Sequence, residues 1–151
     1  MPDDLNTPPF APDTAIIDAL LNTMRVLRRH YDDVARGMGL TMARAQVITV
    51  LSRNEGISQT QLAALLGIET PTLKRQLDAL ETDGFLQRRP LQGDARKNAL
   101  FLTERGRDSQ ITRFGRKLRS DALEGIAPQD LQAARAVLDR IAANIDRMGG
   151  S

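Results

Sequence analysis

The stretch GIETPTLKRQLDALETDGFL, residues 67–86, contains the helix on which the predicted fold depends. Thr70 and Pro71 predict its start, because threonine is a good N-cap and proline fits the first helical position, where the missing N–H has no partner. One face of the helix is apolar at a spacing of three and four residues, which predicts burial. This face carries Leu73, Leu77 and Leu80. The opposite face is polar and is led by Arg75.

A shorter helix is predicted directly before this one, over SQTQLAALLGI at residues 58–68. Ser58 followed three residues later by Gln61 is a capping-box pattern, and Gly67 is placed to close the helix. Two short helices joined by a short link, the second polar on its exposed side, are typical of the DNA-binding helix-turn-helix. Simple helix packing produces the same pattern, so the helix pair alone leaves both interpretations open.

A β-hairpin is predicted immediately after the helix pair. FLQRRP and NALFLT alternate apolar with polar side chains, and a proline and Gly93 supply turn chemistry between them. The hairpin would place Arg96 and Lys97 near its tip. A cationic hairpin that follows a recognition-type helix is a wing, whose guanidinium groups suit the minor groove and read its width and negative potential.

Apolar periodicity predicts further helices on both sides of this unit: one over 14–37, one opened by Thr41, one over 104–125 and a last one opened by Pro128. The apolar faces of the first and last helices exceed what one winged unit needs. We therefore expect them to meet the same faces of a second chain in a homodimer. The residues expected to form this interface are Ile17, Leu20, Leu21, Leu138, Ile141 and Ile145. Packing within one chain is the alternative.

The 151-residue chain is 41% hydrophobic and only 3% aromatic, which favours a mostly α fold with a small β-hairpin wing. Residues 1–13 are rich in proline and acids and are predicted to be a flexible arm, whereas 14–151 are predicted to be a single domain. Within it, 14–38 and 104–148 would supply dimerisation helices, and 41–103 the winged helix-turn-helix. The chain lacks cysteine and any membrane-length apolar run, so we expect a cytoplasmic protein with no membrane partner.

The charge of the chain is unevenly placed. Its net value is only +2 at pH 7, yet residues 85–119 carry ten basic and three acidic side chains. A basic segment of this kind predicts a polyanion as partner, with a solvated helix face as the alternative.

Taken together, these features show that the sequence resembles the MarR family of bacterial transcriptional regulators over roughly residues 15–148. The segments that carry the resemblance are GLT at 39–41, RNEGISQTQLAALLGIE at 53–69, PTLKRQLDALETDGFLQRR at 71–89, and Asp94-Ala-Arg-Lys with Leu100-Phe-Leu-Thr, followed by Gly106. The resemblance implies a homodimer that binds a pseudo-palindromic operator in double-stranded DNA. It also implies a small-molecule effector, regulation that is usually repression, and no cofactor or metal.

The resemblance further implies DNA-binding roles for individual residues. Those expected at the start of the recognition helix, in the major groove, are Thr70, Pro71, Thr72, Lys74, Arg75 and Gln76. Arg75 is the main candidate for base contact, because its guanidinium can pair with guanine O6 and N7. Those expected to contact phosphates from the start of the preceding helix are Ser58, Gln59 and Gln61.

In the wing, the resemblance matches Arg96 to the arginine at the tip and Asp94 to the acid that orders it. Phosphate contacts with little sequence content are expected from Arg88, Arg89 and Lys97.

Two positions bear on the ligand cleft. Ala45 stands where many family members have an aromatic residue near the cleft for small ligands, which leaves open a larger or a different pocket. His30, the only histidine, is expected to be packed or solvent-facing rather than a ligand contact.

Two other function classes fit the sequence less well. An enzyme is disfavoured because the sequence has no nucleophile motif, phosphate-binding glycine loop or metal-ligand cluster. The alternative to a DNA-binding regulator is a helical dimer that serves as a protein-interaction module without binding DNA. The presence of Arg75, Asp94 and Arg96 argues against that alternative.

Overall fold

The computed structural model describes residues 13–91 and 93–150, apart from the side chains of residues 94–96. The fold is mostly helical, as predicted, and the predicted hairpin is part of a small three-stranded antiparallel sheet. Its helices are α1 (Ala15–Gly37), α2 (Met42–Ser52), α3 (Gln59–Leu66), α4 (Thr70–Thr82), α5 (Glu104–Arg107), α6 (Gln110–Asp121) and α7 (Pro128–Gly149). Its strands are β1 (Ile57–Ser58), β2 (Leu86–Leu91) and β3 (Asp94–Leu102).

The elements form two compact units. One unit extends through Phe114 and the other begins at Gly115. Only the first contains the sheet and the helix pair, so it contains every predicted DNA-binding residue. Among the described residues, no helix is both long and apolar enough to cross a membrane.

The core of the first unit is aliphatic. Leu73, Leu77 and Leu80 of α4 are fully buried, which confirms the predicted inward face of that helix. They belong to one buried cluster with Ile48 and Leu51 of α2. Burial of this face fixes the rotation of α4 about its axis, and the polar face is therefore held towards solvent.

The predicted helix caps are present on α2 and α3. The Thr41 hydroxyl accepts a hydrogen bond from the Arg44 amide at 3.3 Å. The Ser58 hydroxyl accepts from the Gln61 amide at 3.2 Å, and the Gln61 side-chain oxygen accepts from the Ser58 amide at 3.1 Å, which completes the capping box. Gly67, with a left-handed φ of 65°, closes α3.

The start of α4 differs by one residue from the prediction. Glu69, in an extended conformation, is the N-cap, and Thr70 is the first helical residue. The Leu73 amide donates to the Glu69 carbonyl at 3.0 Å, so the helical ladder begins one residue earlier than the Thr70-Pro71 pattern indicated. Proline is still accommodated, because the first amides of a helix have no partner within it.

The sheet has the order β1-β3-β2. The predicted hairpin is confirmed, with β2 and β3 paired from Leu86↔Leu102 to Pro90↔Asn98. The register then shifts, because the next pair is Leu91↔Asp94. Residues 95–97 therefore bulge from β3 without counterparts on β2. Strand β1, which was not predicted from the sequence, adds a third, two-residue strand beside β3.

The predicted helix over 104–125 is wrong, because the chain forms two shorter helices, α5 and α6. The break is stabilised by hydroxyl groups, since the side chains of Ser109 and Thr112 both donate to the Gly106 carbonyl at 2.8 Å. Side-chain hydroxyls that bond to nearby backbone groups compete with a continuous helix in this way. Pro128 opens α7, as predicted.

Candidate nucleic-acid interface

The polar face of α4 is open to solvent near the N-terminus of the helix. The exposed residues there are Thr70, Pro71, Thr72, Lys74 and Arg75. Arg75 is exposed on the side of α4 opposite the buried leucines, so its guanidinium points into solvent. The structure thus brings five of the six predicted major-groove residues together on one exposed surface.

Gln76 differs from these neighbours because it is half-buried and has a partner on another helix. Its side-chain oxygen accepts a hydrogen bond from Nε of Arg44 at 3.3 Å. Arg44 lies in the first turn of α2 and is itself half-buried. Arg44 was not predicted from the sequence, because a contact between residues 32 positions apart leaves no local pattern.

At the start of α3, the side chains predicted to contact phosphate are partly engaged within the helix. The hydroxyl of Ser58 and the side-chain oxygen of Gln61 form the capping box, and Gln59 is half-buried. The helix N-terminus retains its favourable dipole for an anion. Phosphate contact at these three residues remains a prediction.

The wing carries its exposed cations on both strands. The guanidinium of Arg89 lies 4.3 Å from the ring centre of Phe101, in cation–π geometry. Lys97 is exposed within the bulge of β3. The predicted roles of Asp94 and Arg96 depend on side chains that lie outside the described residues. Their backbone belongs to the strand, with Arg96 in the bulged segment.

Arg88 points towards α4 rather than standing free for a phosphate. Its guanidinium lies 2.7 Å from the carboxylate of Asp78 and 3.6 Å from that of Glu81. Its backbone amide also donates to Glu81 at 3.1 Å. The side chain is 19% exposed, and its buried Nε has no hydrogen-bond partner among the described residues. The predicted phosphate contact would require this guanidinium to leave two carboxylates, and it remains a prediction.

A second arginine–carboxylate pair stabilises the other end of the sheet. Glu55, in the turn before β1, accepts from the Leu102 amide at 2.8 Å and from Arg107 at 2.9 and 3.2 Å. The hydrogen bonds and negative charge of Glu55 raise the pKa of Arg107 above its ordinary value. This link across 52 positions was also missed by the sequence analysis.

An open groove of about 690 Å³ lies between α1, α2 and α3. Its walls are mainly apolar, and the charged and amide or hydroxyl residues that line it include Arg25, Arg28, Gln46 and Thr49. Tyr31 lies at the groove and donates to the carbonyl of Ala45 at 2.9 Å. Further residues that line it are Leu21, Met24, Leu27, Met42, Val50, Leu65 and Leu66.

Ala45 and His30 are the two residues that the sequence related to the ligand cleft. Ala45 is fully buried, and the groove is lined by Gln46, Thr49 and Val50 of the same helix. His30 is exposed on α1, which confirms the solvent-facing alternative.

Helices α3 and α4 with the β2–β3 hairpin define a winged helix-turn-helix protein. A family model described as MarR family matches residues 40–97. "Uncharacterized HTH-type transcriptional regulator YybA" of Bacillus subtilis (strain 168) is 26% identical over 134 residues, which cover 85% of this chain and 89% of that protein. The crystal structure of transcriptional regulator PA3341 is 32% identical with a TM-score of 0.69, and the match covers 87% of this chain and 98% of the other.

A further solved structure, Streptococcus pneumoniae FabT in complex with DNA, has a TM-score of 0.66 at 19% identity, covering 90% of this chain and 99% of the other. At this identity the likeness shows the fold alone. The chain belongs to the MarR family of transcriptional regulators. The family and its homologues regulate transcription and are not enzymes.

Proposed function

We propose that this regulator is a sequence-specific repressor that binds a pseudo-palindromic operator as a homodimer. The observation that carries the proposal is the exposed N-terminal face of α4, where Arg75 stands beside Thr72 with a cationic wing on the same compact unit. An arginine in the major groove supplies base discrimination, whereas wing cations supply affinity and read groove shape.

The proposed dimer is supported by solvent-exposed apolar side chains on α1 and α7. On α1, Ile17 is 41% and Leu21 56% exposed, and on α7, Leu138 is 44% and Ile145 55% exposed. The remaining two predicted interface residues, Leu20 and Ile141, are half-buried. Exposed apolar faces of this length are unusual in a monomer, so a second copy that covers them is the simplest solution. In such a dimer the two recognition helices would lie one DNA turn, roughly 34 Å, apart.

The effector is supported by the groove between α1, α2 and α3. Its volume is within the range of ligand pockets, and its apolar walls with Arg25 and Arg28 suit a small molecule that has an apolar body and an anionic group. Such a ligand would release the operator only if it bound the DNA-free dimer more tightly than the DNA-bound dimer. The groove touches α1, which is proposed for the dimer, and α3, which is part of the DNA-binding unit.

The proposal is tested by selection from random double-stranded DNA at fixed salt, with the native protein, Arg75→Ala and Arg96→Ala. We expect the native protein to enrich an inverted repeat, Arg75→Ala to lose the preference for particular bases, and Arg96→Ala to bind the same repeat more weakly. Arg140→Ala, which removes an exposed arginine of α7, is the matched control and should select as the native protein does. Two results together would favour the alternative, a helical dimer that binds other proteins and not DNA. The native protein would enrich no DNA sequence, and its binding to partners would be insensitive to salt.

A further inference from the structure

The hydrogen bond between Arg44 and Gln76 restricts what Gln76 can recognise. A guanidinium only donates hydrogen bonds, so the carboxamide must turn its oxygen towards Arg44. The NH₂ group of Gln76 then points away from Arg44. Among the described residues, no carboxylate forms an ion pair with Arg44, and no acid there competes with Gln76 for its guanidinium.

Gln76 is placed to contribute to base recognition. It follows Thr72 by four residues and Arg75 by one, and it therefore borders the exposed face of α4. A free glutamine reads adenine by two hydrogen bonds, donating to N7 and accepting from the N6 amino group. Because its oxygen is turned towards Arg44, Gln76 presents its NH₂ donors on the opposite side, and guanine offers two acceptors, O6 and N7, in the same groove.

We infer that Arg44 is a positioning residue that confines Gln76 to donating, so that the regulator prefers guanine over adenine at the base pair that faces Gln76. The inference rests on the proposed reading of an operator by α4. Arg44 would thus influence which base is selected although it lies on α2, outside the α3–α4 helix pair.

The test compares the operators selected by the native protein, Arg44→Met, Gln76→Ala and the double variant. Methionine keeps the aliphatic stem of Arg44 and removes its donors. The cap of α2 is retained, since Thr41 accepts from the backbone amide of residue 44. Arg53→Met, which removes an exposed arginine just after α2, is the matched control.

We expect Arg44→Met to select the same inverted repeat with one symmetry-related pair of positions changed from guanine towards adenine, by about fivefold or more in the ratio of the two bases. Gln76→Ala should lose the preference at those same positions, and the double variant should show no shift to adenine. An unchanged preference in Arg44→Met would overturn the inference. An even loss of affinity over all sequences, with a salt slope smaller by about 0.9, would instead make Arg44 a phosphate contact.

The experiment separates this inference from the proposed function. If the native protein selects no repeat, the proposed function fails. If the native protein selects a repeat and yet prefers adenine at the position where Gln76→Ala loses its preference, only the role of Arg44 fails. This last comparison does not depend on the folding of Arg44→Met.

Discussion

Arg88 on the first wing strand lies 2.7 Å from Asp78 on helix α4, so the wing and the recognition helix are joined side chain to side chain. Because Glu81 approaches the same guanidinium, one arginine is shared by two acids on the flank of a helix that is expected to approach phosphates. The pairing suits a role in holding the wing at a defined angle to α4.

Replacement of Arg88 by methionine should weaken this connection. We expect the free energy of unfolding to fall by about 1 kcal/mol, because both carboxylates are partly exposed and solvent screens the ion pairs. DNA affinity should fall with little change in its salt dependence, since the charge that is removed faces carboxylates rather than phosphates. Urea unfolding and binding titrations at several salt concentrations measure both quantities. If the slope of log affinity against log salt became shallower by about 0.9, as expected for one lost phosphate contact, Arg88 would contact DNA instead of holding the wing against α4.

Arg89→Met provides the comparison with the neighbouring residue. Arg89 is exposed and lies over Phe101, so its removal should leave the core intact. If Arg89 contacts a phosphate, the slope of log affinity against log salt should become shallower by about 0.9 in this variant. The same titrations report this change, and a slope equal to that of the native protein would exclude a phosphate partner for Arg89.

Gly106→Ala should destabilise the first unit strongly. A Cβ at this position would lie 2.2 Å from the carbonyl oxygen of Phe85 and 3.1 Å from the Leu102 side chain. The backbone must shift to relieve this overlap, at a cost of about 3 kcal/mol in the free energy of unfolding. Gly149→Ala is the control, because no atom of the described residues lies within 4 Å of its added Cβ apart from its chain neighbours and its own helix backbone. Similar unfolding midpoints for the two variants would show that α5 is not closely packed against Phe85.

Ile145→Glu should convert the proposed dimer to a monomer. Ile145 is 55% exposed in the single chain, and a glutamate buried at an interface would be an unpaired charge. Sedimentation equilibrium should give the mass of one chain, and operator affinity should fall because the two half-sites would no longer be bound together. Gln132→Glu introduces the same charge at an exposed residue on the polar side of α7 and should remain dimeric. A dimeric Ile145→Glu protein would place the interface elsewhere.

The features that the sequence predicted are those with a local signal. The capping box at Ser58, the buried leucines of α4 and the hairpin each depend on residues within a few positions of one another, so helical or strand periodicity reveals them. The one-residue error at Thr70 arose because proline fits either of the first two positions of a helix.

The features that the sequence missed depend on contacts between distant segments. Strand β1 is only two residues long and exists through its pairing with β3. The Arg44–Gln76 and Glu55–Arg107 hydrogen bonds connect residues 32 and 52 positions apart. The break between α5 and α6 depends on Ser109 and Thr112, whose hydroxyls can bond to backbone carbonyls either within a helix or at a break, so their presence in the sequence does not locate the break.

Because of the bulge in β3, the wing can change in length without any change in the register of the regular part of its sheet. Residues 95–97 have no counterparts on β2, while the pairs from Leu86↔Leu102 to Pro90↔Asn98 lie below them. Insertions or deletions within the bulge would leave those pairs in place and the core-facing side chains on the same face. If the wing contacts DNA as proposed, related regulators could therefore differ in how far it reaches without any change in the part of the sheet that packs on the core.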